Sequence, residues 1–223
     1  MAQLRTIAFI DGQNMYKGAR EAFGWKQEKG HYGNFRPLGL GRLVTDSAQR
    51  ELTQVRFYQG LPDPHRDKLG HAITQRRLAS WKADDPNLVE IITRTMKYPP
   101  PQGREKGIDV RIAIDLVSLA ADNAYDLAVL ASADTDLLPA IEFVVQRFKL
   151  KMIEAVTWEP IPGCEYDTAA PLDVRGGGVI RRTIPKQDFE KIEDRMNYML
   201  SGGASGGQLP GQSGRRLPPG RTP

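Results

Sequence analysis

A parallel α/β sandwich is the fold class that the sequence predicts, on three observations. Short apolar runs alternate with longer stretches of helical periodicity. The short runs are apolar on both faces, as at 7–10 (Ile-Ala-Phe-Ile) and 127–131 (Leu-Ala-Val-Leu-Ala). That is the pattern of parallel strands covered by helices on two sides. The chain has 223 residues and 40% hydrophobic content, enough for one good-sized core.

The elements follow in chain order. Residues 5–11 read as a buried strand and 14–24 as a helix. A short helix is expected from Leu38 to Gln49, an alternating strand over 53–60, and a polar helix from His65 to Lys82. The β-branched run 88–96 reads as a strand. In 107–124, Ile108, Ile112, Leu116 and Leu119 fall on one helical face. A continuous apolar strand over 126–133 leads to a helix from Leu137 to Phe148, and 151–158 is a further strand. Strands alternating with helices define a parallel sheet.

After Trp158 the pattern decays. The turn-rich stretch from 159 to 179 is too long for an ordinary connection and reads as an insertion or a flap. Residues 179–184 suit an edge strand. Pro185 suits a helix start, with Phe189, Ile192 and Met196 as its apolar stripe. The expected organisation is therefore one domain over 1–158, a C-terminal extension over 159–200 packed on it, and a disordered Gly/Pro/Arg tail over 201–223. That tail holds Arg215, Arg216 and Arg221 and no carboxylate, so it carries three of the four charges of the formal net +4. The tail is read as a solubilising linker, or alternatively as a basic arm for nucleic acid.

Other classes are set aside. No apolar run reaches the roughly 18 residues of a membrane span, and the first residues lack a secretion signal's apolar core. Cys164 is the single cysteine, so neither a disulfide nor a cysteine metal cluster is expected, and a reducing, cytoplasmic setting fits.

The chemistry lies in the acids. In open parallel sheets, ligands bind beyond the carboxyl ends of the strands. Asp11 ends the first strand. Asp134 and Asp136 follow the strand at 127–131, and Asp109 opens the helix at 107–124. Three chain segments thus bring carboxylates to one rim, and the four acids are expected to face one cleft. Clustered carboxylates repel one another unless a cation joins them, and an all-oxygen set suits Mg2+ or Mn2+. Each acid also has a plainer reading. Asp11 and Asp134 suit helix caps, and Asp109 complements a helix N-terminus. Asp115 lies about 240° round the helix from Asp109 and reads as structural. His31, His65 and His71 show no metal spacing and read as surface residues.

The blocks FIDGQNMY (9–16), KGIDVRIAIDLVSLA (106–120) and YDLAVLASADTDLLPAI (125–141) resemble the signature stretches of NYN-domain proteins of the LabA-like group, relatives of PIN-domain nucleases. The resemblance spans about residues 5–157. It implies a Rossmann-like three-layer α/β/α sandwich of PIN-like type and divalent-metal-dependent cleavage of RNA. The family's acidic positions fall on Asp11, Asp109, Asp134 and Asp136, its polar partner on Asn14, and its block lysine on Lys106. Ala133 stands where many relatives carry glycine, which is tolerated if its φ is negative.

The implied catalytic set is Asp11, Asn14, Asp109, Asp134 and Asp136, with Asp11 and Asp134 as direct metal ligands and Asp109 and Asp136 binding directly or through water. Asn14 would orient a water or a phosphate oxygen. Lys97, Arg104 and Lys106 flank the site as phosphate contacts, and their plainer reading is a solvated loop. Tyr58, Trp81 and Tyr98 are candidates for stacking single-stranded RNA, each with core or surface packing as the alternative. A homo-oligomer is left open.

Three rival enzyme classes lack their marks: Gln13 stands where a haloacid-dehalogenase phosphatase needs a second aspartate, and no G-x-G-x-x-G or P-loop occurs. The rival of another class is a non-catalytic RNA-binding or adaptor module that retains the fold.

Overall fold

The computed structural model describes residues 2–97, 105–149, 151–164, 172 and 178–199. Six parallel strands form one sheet: β1 (Leu4–Asp11), β2 (Arg50–Leu61), β3 (Val89–Thr95), β4 (Leu127–Ala131), β5 (Met152–Trp158) and β6 (Val179–Ile184). Their order is β3-β2-β1-β4-β5-β6, so the winding reverses between β1 and β4. The helices are α1 (Gly12–Ala22), α2 (Pro37–Val44), α3 (Lys68–Ala83), α4 (Ile108–Ala121), α5 (Leu138–Arg147) and α6 (Lys186–Ile192).

The period-2 alternation of the strands divides the apolar side chains between two cores. Ala8 and Ile10 of β1, with Val129 and Ala131 of β4, pack under Met15, Ala19 and Ala22 of α1, Leu38 of α2, Leu78 and Trp81 of α3, and Phe189 of α6. Ile7 and Phe9, with Ala128 and Leu130, pack under Ile112 and Leu116 of α4 and Ile141 and Val144 of α5. Helices, sheet and helices make the three layers of a PIN-like α/β sandwich. Trp158 at the end of β5 is fully buried and its Nε1–H donates to Met15 O at 2.7 Å, anchoring α1 to the sheet.

Several boundaries differ from the sequence reading. α1 begins at Gly12, two residues early, because Asp11 Oδ1 accepts the Asn14 N–H at 3.0 Å and caps the helix. α2 ends at Val44, where the Thr45 hydroxyl turns back to Gly41 O at 2.8 Å. α3 begins after the cap Asp67, beyond His65. α6 ends at Ile192, so Met196 lies outside it and is exposed, while Phe189 and Ile192 are buried as expected. The expected edge strand forms as β6, paired to β5. The tail over 201–223 and most of 165–177 lie outside the described residues. Among the described residues, no helix is long and apolar enough to cross a membrane.

Candidate active site

The reversal between β1 and β4 opens a crevice at the carboxyl ends of both strands, the place where doubly wound sheets bind ligands. Asp11, at the tip of β1, is 6% exposed. Gly12 follows because a Cβ there would sit 2.4 Å from the Phe57 ring and 2.9 Å from Tyr58 O. β4 runs out through buried Ser132, whose Oγ accepts the Asp134 N–H at 3.1 Å. Asp134 then caps a short 3-10 turn by accepting the Asp136 N–H at 3.0 Å. Gly107 adopts φ 77°, a left-handed conformation that glycine supplies at least cost, and this turn starts α4 with Asp109 in its first turn.

These segments meet at a cleft of about 420 Å³ lined by Asp11, Asn14, Asp109 and Asp134, with Lys17, Glu105 and Lys106 on its walls. Asn14 joins the two strand ends. Its N–H donates to Asp11, and its Oδ1 accepts the Ala133 N–H at 2.9 Å. Ala133 is not among the residues with positive φ, so its methyl group fits where glycine is usual.

The electrostatics mark the cleft as crowded with negative charge. The Asp11 carboxyl is pushed up to about 6, first by burial and then by the charges of Asp134 and Asp109, against the lowering effect of the Asn14 and Gln13 N–H groups. Burial also raises Glu105, with Asp11 adding to it, against the Gly60 N–H that its Oε1 accepts at 2.6 Å. A cation among these oxygens would offset that repulsion, and the donor set is of the hard kind that Mg2+ and Mn2+ prefer. Among the described residues, no three His, Cys, Asp or Glu groups already stand as a complete metal-binding cluster.

The sequence-predicted residues divide. Asp11, Asn14, Asp109, Asp134 and Lys106 line the cleft. Asp136 does not: the 3-10 turn that Asp134 caps carries it out to an exposed position, where it lines an adjoining groove between α4 and α5 with Asp109. Lys97 is exposed just beyond β3 and does not line the cleft, and Arg104 lies outside the described residues. Tyr58 and Trp81 are not available for stacking. Both are buried, the Tyr58 hydroxyl donating to Asp115 at 3.0 Å and Trp81 Nε1–H to Asp194 at 2.6 Å. Tyr98 lies outside the described residues.

Asp115 is structural, as its position on α4 suggested: it pairs with Arg56 at 2.8 Å and Arg111 at 2.9 Å. His31 and His65 are exposed, and His71 is half-buried with Nδ1 2.6 Å from Pro62 O. Lys17, Gln13 and Glu105 are cleft residues that the sequence reading missed. Lys17 follows Asn14 by one helical turn and was accessible to that argument.

The NYN domain model matches residues 5–158. The chain belongs to the NYN-domain family, part of the PIN-like nuclease superfamily, whose members typically use divalent metals. A crystal structure of a Vibrio parahaemolyticus protein of unknown function, VPA0982, matches with a TM-score of 0.51 at 19% identity, covering 85% of this chain and 98% of that one. That likeness is one of fold. None of the curated proteins matches the chain.

Proposed function

We propose that the protein is a divalent-metal-dependent ribonuclease acting on single-stranded RNA in the cytoplasm. The observation that carries this reading is the convergence of Asp11, Asp109 and Asp134, from three separate stretches of chain, on one cleft at the winding reversal of the sheet. Asp11 and Asp134 would hold Mg2+ or Mn2+ directly, Asp109 would complete the set, and Asp136, set outside the cleft, would act through water. Such an ion supplies charge stabilisation to the phosphate and acidifies a water toward neutrality.

The chain's own residues do the rest. The Asn14 side-chain carbonyl is taken by Ala133, and its amide N–H groups would orient a water or a phosphate oxygen. Lys106 and Lys17 supply positive charge on the cleft walls and hold the phosphate in line for attack. Lys97, exposed just beyond β3, would contact the strand outside the cleft, and Arg104 is proposed as a further phosphate contact.

The experiment is cleavage of end-labelled RNA in Mg2+, in Mn2+ and in EDTA, by the wild type and by Asp134→Asn. Metal-dependent products from the wild type and none from the variant support the reading. Products that persist in EDTA or with the variant sink it. The alternative is a non-catalytic RNA-binding or adaptor module that retains the fold, and RNA binding without cleavage in any metal would establish it.

A further inference from the structure

Beside the acid cleft lies a second cavity of about 220 Å³, and its walls carry different chemistry. Arg77 of α3 faces it. The Arg77 Nη1–H donates to Asn34 Oδ1 at 3.1 Å, and the guanidinium lies 5.0 Å from the Trp81 ring centroid. Its Nε–H is buried and has no acceptor among the described residues. Burial presses the Arg77 guanidinium below its ordinary pKa, although Tyr16, Tyr198 and Asp194 act the other way.

Asp194 favours the charged form of Arg77 but makes no ion pair with it. Its oxygens accept from Trp81 Nε1 at 2.6 Å, the Tyr198 hydroxyl at 2.7 Å and the Met196 N–H at 3.1 Å. Arg77 is half-buried and makes no ion pair among the described residues, an uncommon state for a partly desolvated guanidinium, and its charge faces the cavity that it lines.

The shape and neighbours select an anion. A guanidinium fork matches phosphate oxygens. A terminal phosphate monoester carries more charge than an internal diester and offers three acceptor oxygens. The cavity is smaller than the ~300–1,000 Å³ of ordinary ligand pockets, which suits the end group of a strand. Gln13 and Gln59 add neutral amide donors to its wall, and Glu105, the one acid there among the described residues, is tied by Oε1 to the Gly60 N–H. Gln13 and Glu105 also line the acid cleft, so the two spaces adjoin.

We propose that this cavity is a subsite for the terminal phosphate monoester of an RNA strand, held by Arg77, so that the adjoining nucleotides lie in the acid cleft. The choice of RNA rests on the nuclease reading above. The anion site itself does not.

The test is binding of one short RNA sequence carrying a 5′-phosphate, a 3′-phosphate or hydroxyls at both ends, measured in EDTA with the wild type and with Arg77→Gln. One phosphorylated form binds the wild type about tenfold tighter than the hydroxyl form, as charge-assisted hydrogen bonds predict. Arg77→Gln removes that difference and leaves the hydroxyl form's affinity unchanged. Equal affinity of all three RNAs for the wild type overturns the proposal, and this arm needs no variant to fold. A nucleoside monophosphate that competes as strongly as the phosphorylated strand reassigns the cavity to free nucleotides and also overturns it. Cleavage in Mn2+ that ignores the strand end sinks the subsite but leaves the nuclease standing. End-dependent binding without cleavage does the reverse.

Discussion

Asn14 Oδ1 accepts the backbone N–H of Ala133 at 2.9 Å, joining residues 119 apart in the chain. Through this bond the segment that follows β1 fixes the segment that follows β4, and with it Asp134. Asn14→Ala leaves the Ala133 N–H without its partner, which costs about 1–3 kcal/mol when the group is shielded from water. The variant is expected to melt lower and to cleave RNA more slowly. Asn14→Asp keeps an acceptor in place but adds a negative charge beside Asp11, so it should retain more stability than Asn14→Ala. Thermal melts of the two variants decide this, and an Asn14→Ala protein with wild-type stability would contradict the bridging role.

Asp11 predicts a pH signature for the metal-free protein. Its folded pKa of about 6 stands above the ordinary 3.8, so folding favours the protonated form. The stability it contributes is fully present below about 3.8 and is lost as pH rises through about 6. Asp11→Asn removes the titration. In EDTA the variant should therefore gain stability relative to the wild type across that window, by on the order of 2–3 kcal/mol. Denaturant midpoints at pH 4 and pH 7 measure the difference, and a gap between the proteins that does not change with pH contradicts a desolvated Asp11.

Asp109 and Asp115 sit on the same helix and separate cleanly by consequence. Asp115 is 7% exposed and pairs with Arg56, Arg111 and the Tyr58 hydroxyl. Asp115→Ala strands the buried Arg56 guanidinium and should cost on the order of 3 kcal/mol. Asp109→Ala, at the cleft wall, should leave the melting temperature near or above that of the wild type and abolish cleavage. A melt in which Asp109→Ala is the less stable of the two would contradict this division.

Gly107 tests the turn that presents Asp109. Its φ of 77° costs a residue with a Cβ roughly 1–2 kcal/mol, and the Cβ would also press to 3.3 Å from Arg94 Nη1. Gly107→Ala should lower stability by about that amount and slow cleavage, because Asp109 shifts with the turn. A full cleavage rate in a destabilised Gly107→Ala protein would show that the turn serves the fold alone.

Much of this was legible in the chain. The two-sided apolar runs of β1 and β4 identify parallel strands, and acids placed after such strands point to the cleft. Asp11 was read either as a cap or as a site residue; one of its oxygens caps α1 by accepting the Asn14 N–H, and the residue also lines the cleft. Asp136 was not separable from Asp134 by sequence, because only the 3-10 turn between them sends their side chains to different sides. The Arg77 cavity was invisible. α3 reads as a polar helix, and Arg77 shares its cavity with Asn34 and Phe35, which are distant in sequence.

The central claim is that a divalent ion held by Asp11 and Asp134 touches the phosphate that is cut. A single phosphorothioate at the cleaved position tests it most directly. Sulfur is a poor ligand for hard Mg2+ and a better one for softer ions. The predicted result is strong slowing of the sulfur-substituted RNA in Mg2+, with the rate restored by Mn2+ or Cd2+, and no restoration in Asp134→Asn. Equal rates for the oxygen and sulfur substrates of both stereochemistries in Mg2+ would contradict the claim.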